Sequence, residues 1–279
     1  MWNFTTLMIN SVSGRLQNAY DQLYSREEPD YANVATWCCR MALEHISQSN
    51  ALYHDTEHTA VATLIGHDML RGKHYRQGDV SPRDWAHVIV SLLCHDIGYV
   101  RGICREDQDG VYTTGLPGEM VRLAPGATDA ALMAYHVDRS KRFVMECFEG
   151  HPLLDATQLV ANIERTRFPV PDAGGYQNTA DDPGLVRAAD LIAQLAGSKR
   201  PRRYAALFAE FEETGVNATF GYTCPEDIQD GASSFYWNAV HPYIGQGLHY
   251  LRVTQDGQQW VTDLQAHVFQ ADQREIACA

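Results

Sequence analysis

The sequence predicts an all-α protein, a bundle of helices, and three observations support that fold class. Long segments such as residues 31–48 and 128–149 carry apolar residues at the three- and four-residue spacing of a helix. Pairs that typically begin helices, Ser81-Pro82 and Asp182-Pro183, precede apolar runs. Strands and helices do not alternate along the chain, so an α/β fold is not expected.

The predicted helices follow one another along the chain. The second ends near Gly72, and the third is apolar on nearly every face, so we expect it to be central and buried. The predicted helices cover residues 31–48, 55–71, 81–98, 128–149, 153–165, 182–196 and 203–213.

Two segments rich in Gly, Pro and Asp, residues 102–127 and 169–184, are predicted to be loops. A loop as long as residues 102–127 is often functional in a compact domain. Beyond residue 216 the pattern is ambiguous: residues 233–253 favour a helix, whereas residues 258–270 suit a strand or a helix.

Size and charge limit the organisation and the partners. The 279 residues, 45% of them hydrophobic, predict one domain over residues 1–279, with a core at about 30–215 and a C-terminal extension, 216–279, packed on it. A formal net charge of −13 argues against nucleic acid or an anionic membrane as partner. A small phosphorylated substrate remains possible, because bound cations reverse the charge locally.

The cysteine pattern and the N-terminus indicate a cytoplasmic protein. The seven cysteines include no CxxC pair and no pattern of a disulfide framework, which favours a reducing compartment. The N-terminus shows no basic segment followed by a long apolar one, so no signal peptide is expected. No apolar stretch reaches the roughly 18 residues of a membrane span.

Two histidines four residues apart form the first candidate site. In the segment YHDTEH, a helix would place His54 and His58 on one face. If the helix instead begins at Asp55, His54 lies just before its first turn. The alternative is a pair of surface histidines on an amphipathic helix.

The second candidate is His95-Asp96, which follows the buried run VIVSLLC. A buried carboxylate is costly unless it is paired or binds a metal. The C-terminal end of a helix also disfavours an anion. A divalent cation would resolve both problems, and the alternative is an ion pair between Asp96 and Arg101.

The third candidate is Asp190, which lies among small and apolar residues in LVRAADLIAQLA; its alternative partner is Arg187. Together the three signals place two imidazoles and two carboxylates on separate helices. Such a set suits Mn²⁺, Fe²⁺, Zn²⁺, Mg²⁺ or Ni²⁺ with positions left for water. Asp96 has two oxygens and can bridge two ions, and water between two such ions attacks phosphorus readily.

The order H…HD…D resembles that of the HD-domain metal-dependent phosphohydrolases. YHxxxH at 53–58, HDIG at 95–98 and AADL at 188–191 are similar to motifs in the catalytic domain of the cyclic nucleotide phosphodiesterases. The resemblance implies an HD-domain helical bundle, one or two divalent metal ions and a phosphodiester or nucleotide-like substrate.

The same resemblance assigns roles to the site residues. It implies that His54 is the general acid that protonates the leaving oxygen. It also implies that the metal ligands are His58, His95, Asp96 and Asp190, with Asp96 bridging and taking part in catalysis.

Two further segments resemble parts of the phosphodiesterase domain. The segment at 135–144 suggests His136 as a phosphate contact, and Arg139, one turn on, as a second residue of that pocket. The segment at 233–243 resembles a helix that clamps a purine ring, with Phe235 or Tyr236 as the clamp. In each case the alternative is a side chain packed in the core.

The chain departs from the phosphodiesterases at Tyr99, where they carry a second histidine, so a nucleotide monoester also remains open. The HD-GYP hydrolases carry a lysine at this place. Di-iron HD oxygenases require two more histidines, for which His136 and His151 are available. A third alternative is a silent module that binds a nucleotide without turnover.

One basic cluster occurs late in the chain. Its four members follow Gly197, and we expect a solvated turn rather than a guide for a phosphorylated substrate. The cluster comprises Lys199, Arg200, Arg202 and Arg203.

Overall fold

Helices dominate the structure, a computed structural model that describes residues 4–25, 27–197 and 200–278. The described part contains two short strands, which pair as an antiparallel hairpin, so the all-α prediction is confirmed. The elements are α1 (Phe4–Tyr24), α2 (Pro29–Ile46), α3 (Thr56–Gln77), α4 (Pro82–Cys94), β1 (Val111–Thr113), β2 (Met120–Arg122), α5 (His136–Phe148), α6 (Ala156–Glu164), α7 (Asp182–Ala196), α8 (Arg200–Thr214), α9 (Val216–Phe220), α10 (Pro225–Asp230), α11 (Ala232–Phe235), α12 (His241–Leu251) and α13 (Gln255–Cys278).

Helices α3, α4 and α7 pack against one another at the centre, and α12 covers α3 and α7. Their starts are set by local caps. The side chain of Asp55 accepts the backbone N–H of His58 in the first turn of α3. Ser81 and Asp84 form a capping box at α4, and Asp181 accepts the backbone N–H of Gly184 at α7. These caps fix the residues at which α3, α4 and α7 begin.

Two helix ends differ from the prediction. Helix α3 continues past Gly72 to Gln77. Gly72 does not end the helix. It lies where the backbone of Tyr250 in α12 approaches α3, and a Cβ at this position would collide with the Tyr250 carbonyl. Helix α4 ends at Cys94 instead of continuing through residue 98. His95 and Asp96 therefore lie in a turn, followed by a 3₁₀ turn at Ile97–Tyr99.

The predicted helix over residues 128–149 is two pieces. A 3₁₀ turn at Asp129–Leu132 precedes α5, which begins at His136. Asp129 is bound by the side chain of Arg101 and by the backbone N–H of Asn50, and these contacts hold the first turn away from the axis of α5.

The predicted loop over residues 102–127 contains the β1–β2 hairpin. The C-terminal region is helical: residues 258–270 lie in α13, which packs on α3, α7 and α12. The helix predicted over residues 233–253 is interrupted by a π-helical turn at Tyr236–Val240, next to Pro242, whose missing N–H breaks the helical ladder. Within the described ranges, no helix is both long and apolar enough to cross a membrane.

Candidate metal centre

The four residues predicted as ligands meet in the centre of the bundle. His58 Nε2 lies 3.1 Å from Asp190 Oδ1 and 3.4 Å from Asp96 Oδ2. His95 Nε2 lies 3.1 Å from Asp96 Oδ2 and 3.6 Å from Asp190 Oδ1. All four side chains are buried. Residues from α3, the turn after α4, and α7 thus form one cluster.

The donor atoms of this cluster fit a divalent cation. His95 Nδ1 donates a hydrogen bond to the carbonyl of Leu92 at 2.7 Å, so Nε2 can present its lone pair to the cluster. Within the described ranges, His95 Nε2 and Asp96 Oδ2 are buried and lack a hydrogen bond of good geometry, although they lie close together. Buried polar atoms rarely stay unsatisfied. His58, His95 and Asp190 are buried and bring one ligand atom each within 4.8 Å of one another, so this group could hold a metal ion.

The alternative partners of both carboxylates lie elsewhere. Arg101 binds Asp129 rather than Asp96. Arg187 donates to the carbonyls of Tyr176 and Asn178, and its guanidinium lies over the ring of Tyr243 at 4.3 Å. Neither arginine neutralises the charge of the cluster.

The histidines and carboxylates of the cluster strongly shift one another's pKa values. Burial lowers the pKa of His95, but Asp96 and Asp190 outweigh burial and hold this pKa well above its usual value. Burial raises the pKa of Asp96, but His95 outweighs it and holds that pKa well below its usual range. A proton on His95 and a bound cation therefore stabilise the same two carboxylates, so they compete.

His54 lies beside the cluster and is held by a residue that the sequence did not reveal. His54 Nδ1 donates to Glu210 Oε2 at 2.6 Å, and Glu210 Oε1 accepts the backbone N–H of Tyr53 at 2.7 Å. Burial lowers the pKa of His54, but the carboxylate of Glu210 overcomes this and raises the pKa above 6.5. Glu210 is buried in α8, and nothing in its local sequence distinguishes it from the exposed glutamates of that helix.

Tyr99 stands between two histidines of the site. Its ring stacks on His54 with centroids 4.3 Å apart and on His136 with centroids 4.5 Å apart. Its hydroxyl lies 3.4 Å from His54 Nε2. At the place where the resemblance expects a histidine, this chain therefore presents an aromatic face that fixes the two neighbouring rings.

His136 faces the other oxygen of Asp96. His136 Nε2 lies 3.8 Å from Asp96 Oδ1, whereas Oδ2 faces His58 and His95. His136 Nδ1 donates to the carbonyl of Met133 at 2.6 Å. His151, the other histidine considered for an oxygenase, instead accepts backbone N–H groups of its own turn.

A cavity of about 210 Å³ opens from the cluster. Phe235 lines it, packed edge to face against Phe168 with centroids 5.8 Å apart. Tyr236, the alternative to Phe235, is buried and packs on Trp237 and His241. Helices α8, α10, α11 and α13 all contribute to the walls, so the C-terminal region shapes the site.

Arg139, predicted as a substrate contact, lies outside the cavity. Arg139 is fully buried, pairs with Asp107 at 2.9 Å and donates to the carbonyls of Gly98, Val100 and Thr113. Its side chain fastens the 102–127 segment to the turn that follows Asp96.

The prediction of a solvated turn fits only part of the basic cluster. Lys199 lies outside the described residues. Arg202 is exposed, but Arg203 lines the cavity, donates to the carbonyl of Tyr53 at 3.3 Å and lies over the Tyr53 ring at 4.4 Å.

Fold and site together define an all-helical protein with a buried candidate metal centre that opens into a cavity. Residues 2–274 match the model of the family described as Npun_R2479-like, and the chain belongs to that family. Neither the curated proteins nor the solved structures gave a match. The family's description names no reaction, so a function has to be argued from the site.

Proposed function

We propose that the protein is a metal-dependent hydrolase that cleaves a phosphoester. One observation carries the proposal: His58, His95, Asp96 and Asp190 converge from three separate elements beside a histidine held by a carboxylate. Two atoms of this cluster, His95 Nε2 and Asp96 Oδ2, are buried without a hydrogen-bond partner among the described residues. A metal site alone would not suggest hydrolysis. The adjoining His54–Glu210 pair supplies the proton donor that a phosphoester leaving group needs.

The metal would be held by His58, His95, Asp96 and Asp190. Bound there, a divalent cation supplies Lewis acidity toward a phosphoryl oxygen and activates water for attack on phosphorus. The donor set is compatible with Mn²⁺, Fe²⁺, Zn²⁺, Mg²⁺ or Ni²⁺. Because Asp96 turns its two oxygens in different directions, the site suits one ion or two.

His54 is the proposed general acid. Its Nδ1–H is engaged by Glu210, so Nε2 carries the proton available to the departing oxygen. Glu210 keeps His54 protonated against the effect of burial, which is what a general acid near neutral pH requires. Tyr99 holds the ring plane from one side. Glu210 and Tyr99 act through His54 and are positioning residues.

His136 suits a cation better than a phosphate oxygen. Its Nδ1–H is donated to the carbonyl of Met133, so Nε2 presents a lone pair. Burial also lowers the pKa of His136, which keeps the ring neutral. If a second ion binds, His136 and Asp96 Oδ1 are the atoms of this chain placed to hold it.

Since the described cysteines are free thiols, we expect the reaction to run in the reducing cytoplasm.

Metal analysis combined with turnover tests the proposal. The purified protein should contain a divalent metal and should hydrolyse 4-nitrophenyl phosphate or bis(4-nitrophenyl) phosphate with at least one of the five metals. His95→Ala and Asp96→Ala should lose both metal and turnover. His249→Ala, at an exposed position on α12, is the matched control and should retain both.

Absence of bound metal, or full turnover in the His95→Ala and Asp96→Ala proteins, would contradict the proposal. Nucleotide affinity without turnover under any of the metals would instead support a silent binding module. Iron-dependent oxygen uptake would support an oxygenase.

A further inference from the structure

We infer that the substrate carries a single phosphate group on an apolar alcohol portion, and that it is not a nucleoside polyphosphate. The inference rests on the proposed function, because it takes the metal centre as the place where the phosphate binds. It concerns the rest of the cavity, which receives the part of the substrate beyond phosphorus.

The walls beyond the metal centre are predominantly apolar. The side chains that form them come from the 166–168 segment and from helices α8, α10 and α11. They are Phe168, Leu207, Phe211, Ile228, Ala232 and Phe235. Such a surface favours an apolar ligand, because each methylene moved from water to the cavity contributes favourably to binding.

Among the described lining residues the cavity offers one guanidinium for further phosphates, and its Nε has no hydrogen-bond partner. Among the described lining residues, Arg203 is the one side chain that is always positive. Its guanidinium is already engaged by the carbonyl and ring of Tyr53 and lies 3.6 Å from Asp55. Two further phosphates would therefore share one guanidinium that already contacts Tyr53 and Asp55, which leaves most of their charge unpaired and is costly.

Three polar side chains around the apolar walls already have hydrogen-bond partners. Thr166 donates to the carbonyl of Ile163 at 2.9 Å. His267 donates through Nδ1 to the carbonyl of Leu195 at 2.6 Å, and its Nε2 pairs with the hydroxyl of Tyr204. Gln194 and Tyr222 also line the cavity and carry polar groups that could contact the edge of a nucleobase. An alkyl or aryl group requires no such hydrogen bond.

Binding of graded phosphonates to the metal-loaded protein tests this inference without relying on turnover. Calorimetry would compare methyl-, butyl- and octylphosphonate with AMP and ATP. We expect affinity to rise along the alkyl series by up to roughly fourfold per methylene while the chain remains inside the cavity. ATP should bind more weakly than butylphosphonate.

A cavity variant and a matched surface variant locate the effect. Leu207→Lys should flatten the alkyl series and improve binding of ATP relative to octylphosphonate, because it places a free cation in the apolar wall. Leu116→Lys, at an exposed position outside the cavity, should leave the series unchanged. Thermal unfolding checks that both variants fold, and Phe211→Gln, at a half-buried wall position, serves as a second cavity variant.

The possible results separate this inference from the proposed function. Equal affinity from methyl to octyl, no phosphonate binding, or tighter binding of ATP would overturn the inference, whatever the turnover assays show. A graded alkyl series together with no hydrolysis would uphold the ligand class and overturn the hydrolase.

Discussion

Replacing Glu210 with Gln tests the proposed proton donor while preserving a backbone contact. Glu210 Oε2 lies 2.6 Å from His54 Nδ1, and Oε1 accepts the N–H of Tyr53 at 2.7 Å. Glutamine retains an oxygen acceptor but removes the negative charge. Because that charge raises the pKa of His54 against burial, we expect this pKa to fall in the variant.

The size and sign of the effect follow from the charge of the lost hydrogen bond. A hydrogen bond to a charged group contributes roughly 1.5–3 kcal/mol, and one pKa unit corresponds to about 1.36 kcal/mol. The pKa of His54 should therefore fall, by the equivalent of that free energy. A general acid works only when protonated, so turnover is lost as pH rises through its pKa. The alkaline limb of the pH–rate profile should move to lower pH by the same amount.

The assay measures kcat against pH for two phosphoesters that differ in leaving group. An alkoxide leaving group needs the proton, whereas 4-nitrophenolate needs it little, so the shift should be clear with the first and small with the second. Glu213→Gln, an exposed glutamate on the same helix, is the control. An unchanged alkaline limb for the alkyl ester in the Glu210→Gln protein would refute the assignment of His54 as general acid.

Three further predictions concern the metal, a buried ion pair and a stacked ring. Since a proton on His95 competes with a cation, metal binding should release protons, and calorimetry should show weaker metal affinity as pH falls; affinity independent of pH would contradict this. Arg139→Ala leaves Asp107 buried without its partner, so the free energy of unfolding in denaturant should fall by about 3–5 kcal/mol. Turnover per folded molecule should remain; lost turnover at unchanged stability would instead make Arg139 a substrate contact. Tyr99→Leu removes the stacking on both neighbouring histidines, so it should lower kcat while metal content stays constant, and Tyr99→Phe should restore most of kcat. Full activity in the Tyr99→Leu protein would show that the stacking has no role.

Two residues of the cluster were predictable because each carries a local signal. Asp96 and Asp190 each stand in an apolar segment, and a carboxylate there demands a partner whatever the rest of the chain does. The nearest arginines were reasonable candidates in sequence, but Arg101 and Arg187 turn to other partners. Only the three-dimensional structure shows that both carboxylates face histidines and not these arginines.

The supporting residues were not predictable, because their roles depend on contacts between distant segments. Glu210 reaches His54 from a helix far along the chain, and its own helix shows no unusual pattern. Arg139 follows His136 by three residues, so helical spacing alone suggested a shared pocket. Asp107, in the long 102–127 segment, pairs with Arg139, so the side chain of Arg139 does not reach the cavity.

Helix positions were predicted better than helix ends. Caps and prolines are local, so the starts of α4 and α7 agree with the sequence. Gly72 indicated an end but marks a close approach between α3 and α12, which is a tertiary contact. The break before His136 likewise depends on the binding of Asp129 by residues of other segments.

The central claim, a metal centre at His58, His95, Asp96 and Asp190, is tested most directly by X-ray anomalous scattering from crystals soaked with Mn²⁺. We predict an anomalous peak adjoining all four side chains, and its absence in crystals of His95→Ala. A soaked crystal without anomalous density at these residues, or with manganese bound only elsewhere, would contradict the account.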